Sequence, residues 1–247
     1  MHNIDIIISS FIMKIWLSLL SLSIFSFTSA HADIKTLEQN LKTKYPEIEV
    51  KSVQNSPIKD VYEVYMGGRI VYTNEEAKYF FVGNLIDLKE QKNLTAEREQ
   101  VLKSIDVKSL PLKQAIKHVK GKGERTIYVF SDPDCPYCQH LEKELKNVDN
   151  VTIYLFLYPI TRLHPNAENV SQQIWCSKNP YQAWQDYTLD KKQPSSTKSC
   201  TTPVEKNIAL AKTLNVDGTP TFFLQDGTRI SGARDAGEIE LLLKAVK

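Results

Sequence analysis

The stretch that most restricts what this chain can become is Ser131-Asp132-Pro133-Asp134-Cys135-Pro136-Tyr137-Cys138. A β-branched and aromatic run, Thr126-Ile127-Tyr128-Val129-Phe130, precedes it, and Leu141 and Leu145 follow at helical spacing. The pattern predicts a strand, a tight loop and a helix start, with two thiols at i and i+3 across the first turn. Pro136 suits the first helical position, because its φ is preset and its missing N–H would be unpaired there anyway.

This placement has chemical consequences. Cys135 falls at the mouth of a helix, where unpaired N–H groups and the macrodipole favour an anion. Its thiolate is therefore stabilised and its pKa lowered. Cys138 lies one turn further in, near enough to close a small disulfide ring and more sheltered. An exposed nucleophile with a sheltered resolving thiol is the arrangement disulfide exchange requires. Asp132 and Asp134 work in the opposite direction, since nearby carboxylates raise a thiol pKa; the helix start is expected to outweigh them.

The chain has 247 residues, 42% hydrophobic and 24% charged, with a formal net charge of +2. That allows one or two globular domains. The near-neutral charge and the lack of basic runs interleaved with aromatics exclude a nucleic-acid binder. The first 32 residues differ: Lys14 precedes the apolar run Ile15 to Phe27, and Thr28-Ser29-Ala30-His31-Ala32 follows. This reads as a secretory signal peptide, cleaved after Ala32. Met13-Lys14 would make an alternative start. An uncleaved membrane anchor is the rival reading, since Ile6 to Phe27 is nearly long enough to span; the Ala-His-Ala site favours cleavage. Export changes what the cysteines mean. Four remain, Cys135, Cys138, Cys176 and Cys200, and an even count in an oxidising compartment suggests disulfides. Of the three possible pairings, the closeness of Cys135 and Cys138 leaves Cys176 with Cys200.

Residues 33–90 read as a small α+β domain. Ile34, Leu37 and Leu41 have helical spacing, and short strands follow at 48–53, 61–65, 70–72 and 78–82, with a turn at Gly67-Gly68. So small a sheet buries little core and leaves an edge on which a second copy can pair. Residues 91–111 read as a charged, solvated linker helix that ends at Leu110-Pro111, with at most a short turn from Leu112 before the glycines at 121 and 123. Residues 112–247 form an α/β unit. Val151 to Tyr158 is an unbroken apolar run, as in a parallel strand covered on both faces. Helices are expected over Ala167 to Trp175, Tyr181 to Thr188 and Val204 to Leu214. A strand at 219–224, a turn at Asp226-Gly227 and an amphipathic helix with Ile239, Leu242, Leu243 and Val246 close the chain.

Structural zinc is the rival use of a Cys-x-x-Cys, but zinc favours two close pairs of ligands, and Cys176 and Cys200 are far apart. Haem attachment needs His directly after the second Cys, where Gln139 stands. No metal or cofactor is therefore expected. The Cys176–Cys200 loop reads as structural, contributing about 3 kcal/mol. In Gly218-Thr219-Pro220-Thr221 the proline belongs at a strand beginning or edge, and from the residues alone a trans bond is the default.

Cys-Pro-Tyr-Cys between strand and helix, with Gly-Thr-Pro at a late strand, resembles thioredoxin-fold proteins. The signal peptide, the small N-terminal sheet domain, the linker helix and the Ile174-Trp175-Cys176 stretch paired with Cys200 make the chain similar to the DsbC-type periplasmic disulfide isomerases. The resemblance implies a thioredoxin-like C-terminal domain with a helical insertion, and a homodimer joined through N-terminal dimerisation domains. It implies an attacking Cys135 and a resolving Cys138, a cis Pro220 beside the thiols, and substrate contacts from Thr219, Pro220, Pro136 and Tyr137. It implies misfolded disulfide-containing exported proteins as substrates and a DsbD-like membrane reductase as partner. One departure stands out: Cys-Pro-Tyr-Cys looks like the sister DsbG type, where DsbC-type proteins often have Cys-Gly-Tyr-Cys. A sulfenic-acid reductase of DsbG type and a chaperone-like binding module are the alternatives.

Overall fold

The computed structural model describes residues 29–194 and 200–246. The expected leader lies outside the described residues except for its last four positions, which open the first helix. The chain divides into two compact units that meet between Asn84 and Leu85.

In the first unit, α1 (Ser29–Lys44) lies on an antiparallel sheet of β1 (Val50–Asn55), β2 (Tyr62–Met66), β3 (Arg69–Thr73) and β4 (Phe80–Phe81), in that spatial order. Leu37 and Leu41, four apart, are buried against Tyr62, Val64, Val71 and Ala77. The β2–β3 hairpin turns on Gly67 and Gly68 at φ 58° and 78°, the double positive φ that a tight two-residue turn demands and glycine supplies without strain. Among the described residues β4 is a short edge strand of this sheet; Tyr79, Phe81 and Val82 at it are exposed, Phe81 at 62%.

The second unit opens with the ribbon β5 (Ile86–Asp87) and β6 (Lys92–Asn93), then α2 (Leu94–Leu102). The Asn93 side chain caps α2 by accepting the Ala96 N–H at 2.9 Å. Two short 3-10 turns, Val107–Ser109 and Leu112–Gln114, lead into the main sheet. Its strands are β7 (Ile116–Lys120), β8 (Arg125–Ser131), β9 (Val151–Leu157), β10 (Thr221–Leu224) and β11 (Arg229–Ser231), in the order β11-β10-β8-β9-β7. Only β8 and β9 run parallel, with Ser131 level with Leu157; the other neighbours are antiparallel.

β7 corrects the sequence reading, which placed no strand between residues 112 and 123. Ile116 faces inward, whereas Lys117 and Val119 are exposed. Lys117 is thus a charge on the outer side of an edge strand, where it deters further pairing, while Lys120, on the same side as Ile116, donates its ammonium to the Leu145, Lys146 and Val148 carbonyls.

Helices cover both faces of the sheet. On one face α3 (Pro136–Leu145), α4 (Ala167–Trp175), α5 (Pro180–Asp190) and α7 (Ala236–Ala245) enclose a core of Ile127, Val129, Leu141, Ile174, Trp184, Phe222 and Ile239. On the other, α6 (Val204–Thr213) and the 3-10 segment enclose Tyr128, Phe130, Phe156 and Phe223. Successive β8 residues alternate between the two cores, as a pleated strand covered on both sides must. Phe130 stacks on Phe156 at 4.8 Å and meets Phe223 edge-on at 6.0 Å, which fixes the end of β8 where the cysteine loop begins.

Candidate active site

β8 delivers the chain to Asp132 at the sheet's edge, and α3 begins at Pro136 with Cys135 as its N-cap residue. Cys135 has extended φ and ψ (−75° and 122°), while its carbonyl already accepts from the Cys138 and Gln139 N–H groups. The Thr219–Pro220 bond is cis and leads into β10, which pairs with β8. This brings the Thr219 carbonyl to 3.4 Å from Cys135 Sγ, where it accepts the thiol hydrogen. Cys138 Sγ accepts the Asp132 N–H at 3.3 Å. Both Cys135 and Cys138 are free thiols.

Cys135 is less open than the sequence suggested. It is 6% exposed and Cys138 1%: the Thr219 carbonyl lies against the Cys135 sulfur, and both thiols belong to the buried cluster beneath α3. The exposed part of the loop is carried by Pro136 and by Tyr137, which is 68% exposed.

The two thiols are electrostatically unlike. The Cys135 thiol is pulled down to about 5, first by the hydrogen bond from the Cys138 thiol, against the cost of burial, and further by the Cys138 and Tyr137 N–H groups and the Thr219 side chain. Burial pushes Cys138 well above the ordinary thiol range, and its hydrogen bond to the Cys135 sulfur adds to this. At neutral pH the pair therefore holds one thiolate and one thiol. The contact between the sulfurs contributes most, ahead of the helix-mouth N–H groups that the sequence pointed to.

The carboxylates that seemed to oppose the thiolate are engaged elsewhere. Asp132 is fully buried. Its Oδ1 accepts the Asp134 N–H at 2.8 Å, and its Oδ2 accepts the Ile160 N–H at 2.7 Å and lies 3.0 Å from His164 Nδ1. Asp134 Oδ1 accepts the Tyr187 hydroxyl at 2.6 Å, and burial followed by that bond pushes the phenol up to about 12. His164 and Tyr187 were missed in the sequence. The available signal was position: β8 and β9 are parallel, so the loops after their carboxyl ends meet at one edge of the sheet, and His164 lies in the loop after β9.

Further along α3, the buried Glu142 accepts hydrogen bonds from Tyr181 (2.9 Å), Trp184 (2.8 Å) and Gln185 (2.9 Å), tying α5 to the cysteine helix. Cys176 and Cys200 form a disulfide with Cα atoms 5.8 Å apart. It joins the end of α4 to the segment before α6; residues 195–199 of the loop it closes lie outside the described residues. Among the described residues no group of three or more His, Cys, Asp or Glu is arranged to hold a metal ion.

A strand that ends in Cys-x-x-Cys at a helix mouth, opposite a cis-proline loop in a mixed sheet, defines a thioredoxin-fold thiol oxidoreductase. The comparisons narrow the class. Residues 112–247 match a thioredoxin-like domain family, and residues 28–96 match the disulfide bond isomerase protein N-terminal domain. The chain belongs to the DsbC-type thiol:disulfide interchange proteins. It is 37% identical over 207 residues to a probable thiol:disulfide interchange protein DsbC of Bordetella parapertussis, covering 84% of this chain and 73% of that one. It is 24% identical over 216 residues to DsbC of Escherichia coli K12, covering 87% and 89%. A disulfide interchange protein of Neisseria gonorrhoeae, whose structure is solved, is 36% identical with a TM-score of 0.53, covering 55% of this chain and 97% of that one.

Proposed function

We propose that the chain isomerises or reduces incorrect disulfides in exported proteins through Cys135 and Cys138. The Cys135 thiolate attacks one sulfur of the client disulfide; a Cys135–client disulfide forms and the other client sulfur leaves as a thiolate. A client thiolate then attacks the client sulfur of that bond, which rearranges the client and returns Cys135 as thiolate. Alternatively Cys138, once deprotonated, attacks Cys135 Sγ, and the client sulfur leaves. That branch yields reduced client and a Cys135–Cys138 disulfide, and a DsbD-like membrane reductase returns it to the dithiol. Thr219, Pro220, Pro136 and Tyr137 form the surface on which the client chain rests.

The single observation that carries this reading is the seating of Cys135 as the N-cap of α3, against the Thr219 carbonyl that precedes the cis bond to Pro220, with Cys138 buried one turn behind it. Residues 33–90 serve as the dimerisation domain, residues 91–111 as the linker and residues 112–247 as the catalytic domain. The β4 edge strand with exposed Tyr79, Phe81 and Val82 supports pairing with a second copy. A periplasmic location after removal of residues 1–32 fits a client set of exported proteins.

The test is reactivation of a scrambled multi-disulfide protein by the reduced chain, set beside oxidation of the same protein in reduced form. Reactivation that disappears in Cys135→Ala supports the reading. Reactivation that persists in Cys135→Ala, or oxidation without reactivation, overturns it.

A further inference from the structure

The pair formed by Asp132 and His164 is not explained by the dithiol chemistry alone. Burying a carboxylate without compensation is expensive, and this one stands three residues before an anionic sulfur. Two backbone N–H groups bind it, but neither carries a net charge. The charge that answers it comes from His164, whose side chain is 23% exposed and so remains in contact with solvent. The loop holding His164 is itself ordered: the Leu163 and His164 N–H groups donate to the Ile160 carbonyl at 2.8 and 2.9 Å, and the His164 carbonyl accepts the Ala167 N–H at 3.0 Å. The imidazole is thus delivered to Asp132 by a fixed turn at the entrance to α4.

Asp132 has a second role through its backbone. Its N–H points at Cys138 Sγ, so whatever fixes the Asp132 carboxylate also fixes this donor. The ionisable groups facing His164 are Asp132 from the end of β8, and Asp134 and Cys135 from the loop and cap of α3. All three raise its pKa, the Asp132 hydrogen bond most, against a smaller opposing effect of burial. His164 is therefore cationic over a wider range than a free histidine, facing anions that include the reactive sulfur.

We propose that His164 is a positioning residue for the dithiol: it neutralises Asp132, so that the buried carboxylate does not oppose the Cys135 thiolate, and it holds the Asp132 N–H on Cys138. The inference rests on the reading of Cys135 as the attacking thiolate and adds the residue that sets its charge balance.

The test is thiolate absorbance near 240 nm against pH on the full chain with Cys135 and Cys138 reduced and the Cys176–Cys200 disulfide intact. The Cys176–Cys200 disulfide is silent in this readout, and Cys138 ionises only at much higher pH. Wild type shows a midpoint near the value of about 5 held by Cys135. His164→Gln leaves an unanswered negative charge nearby and raises the midpoint by about one pH unit. His164→Lys, which restores a cation, returns it towards wild type. Asp132→Asn combined with His164→Gln removes both charges and also returns it towards wild type, so the sign does not rest on one variant. A His164→Gln midpoint equal to wild type, or a rise that neither second variant reverses, overturns the inference while leaving the role of Cys135 intact. A wild-type chain with no low midpoint overturns both.

Discussion

Replacing Cys138 by Ala removes the hydrogen bond that contributes most to holding Cys135 at about 5. A hydrogen bond to a charged partner is worth about 1.5–3 kcal/mol, which corresponds to about one to two pH units. The backbone N–H contacts from positions 137 and 138 survive the substitution, so the thiol midpoint moves to roughly 6–7. Thiolate content and intrinsic nucleophilicity then change in opposite directions. At pH 5 the thiolate share falls from roughly one half to about 1–9%. The more basic sulfur is meanwhile about 3–10-fold more nucleophilic. The variant should therefore attack a small chromogenic disulfide about two- to eightfold more slowly than wild type at pH 5, and about three- to ninefold faster at pH 8. The two pH–rate profiles cross. Stopped-flow release of the chromogenic thiol measures both. Profiles of the same shape, with no crossing, would show that Cys138 does not set the charge on Cys135.

Three further outcomes follow from other parts of the second unit. Replacing both Cys176 and Cys200 by Ser opens a loop of sequence separation 24 and should cost about 3 kcal/mol in denaturant unfolding; an unchanged midpoint would mean that the loop is held by other contacts. Glu142→Ala leaves the Tyr181, Trp184 and Gln185 donors without their acceptor and should cost about 3 kcal/mol, with a loss below about 1 kcal/mol counting against the clamp. The pKa of His164 is raised in the folded state, so its stabilising contribution is complete below the ordinary histidine value of about 6.5 and is lost as pH rises through the raised value. The difference in Tm between wild type and His164→Gln should therefore shrink between pH 6 and pH 9, and a constant difference would contradict the linkage.

Where one local signal fixed the backbone, the sequence was readable. The Cys-containing helix, the parallel strand after it and the helices near 167, 181 and 204 follow from apolar spacing and from the prolines that open them. Strand β7 was not readable, because Lys117, His118 and Lys120 make an edge strand look like solvated linker; only its pairing with β9 reveals it. The start of α2 was not readable either: Asn93 caps it by accepting the Ala96 N–H, and nothing in the charged run around it marks that position. The site was legible as far as its cysteines and proline. The behaviour of Asp132 was not: a carboxylate near a thiol raises its pKa when free and does little when bound, and its partner stands 32 positions later in sequence. The burial of Cys135 was equally hidden, since Thr219, whose carbonyl lies against it, comes from the loop before β10, 84 positions away.

The chemistry of the site depends on the two neighbouring sulfurs differing in charge at working pH. Limiting iodoacetamide at pH 6, followed by peptide mapping of the reduced chain, tests it directly. Cys135 is expected to be alkylated while Cys138 remains unmodified. Equal labelling of the two, or labelling of Cys138 first, would contradict it.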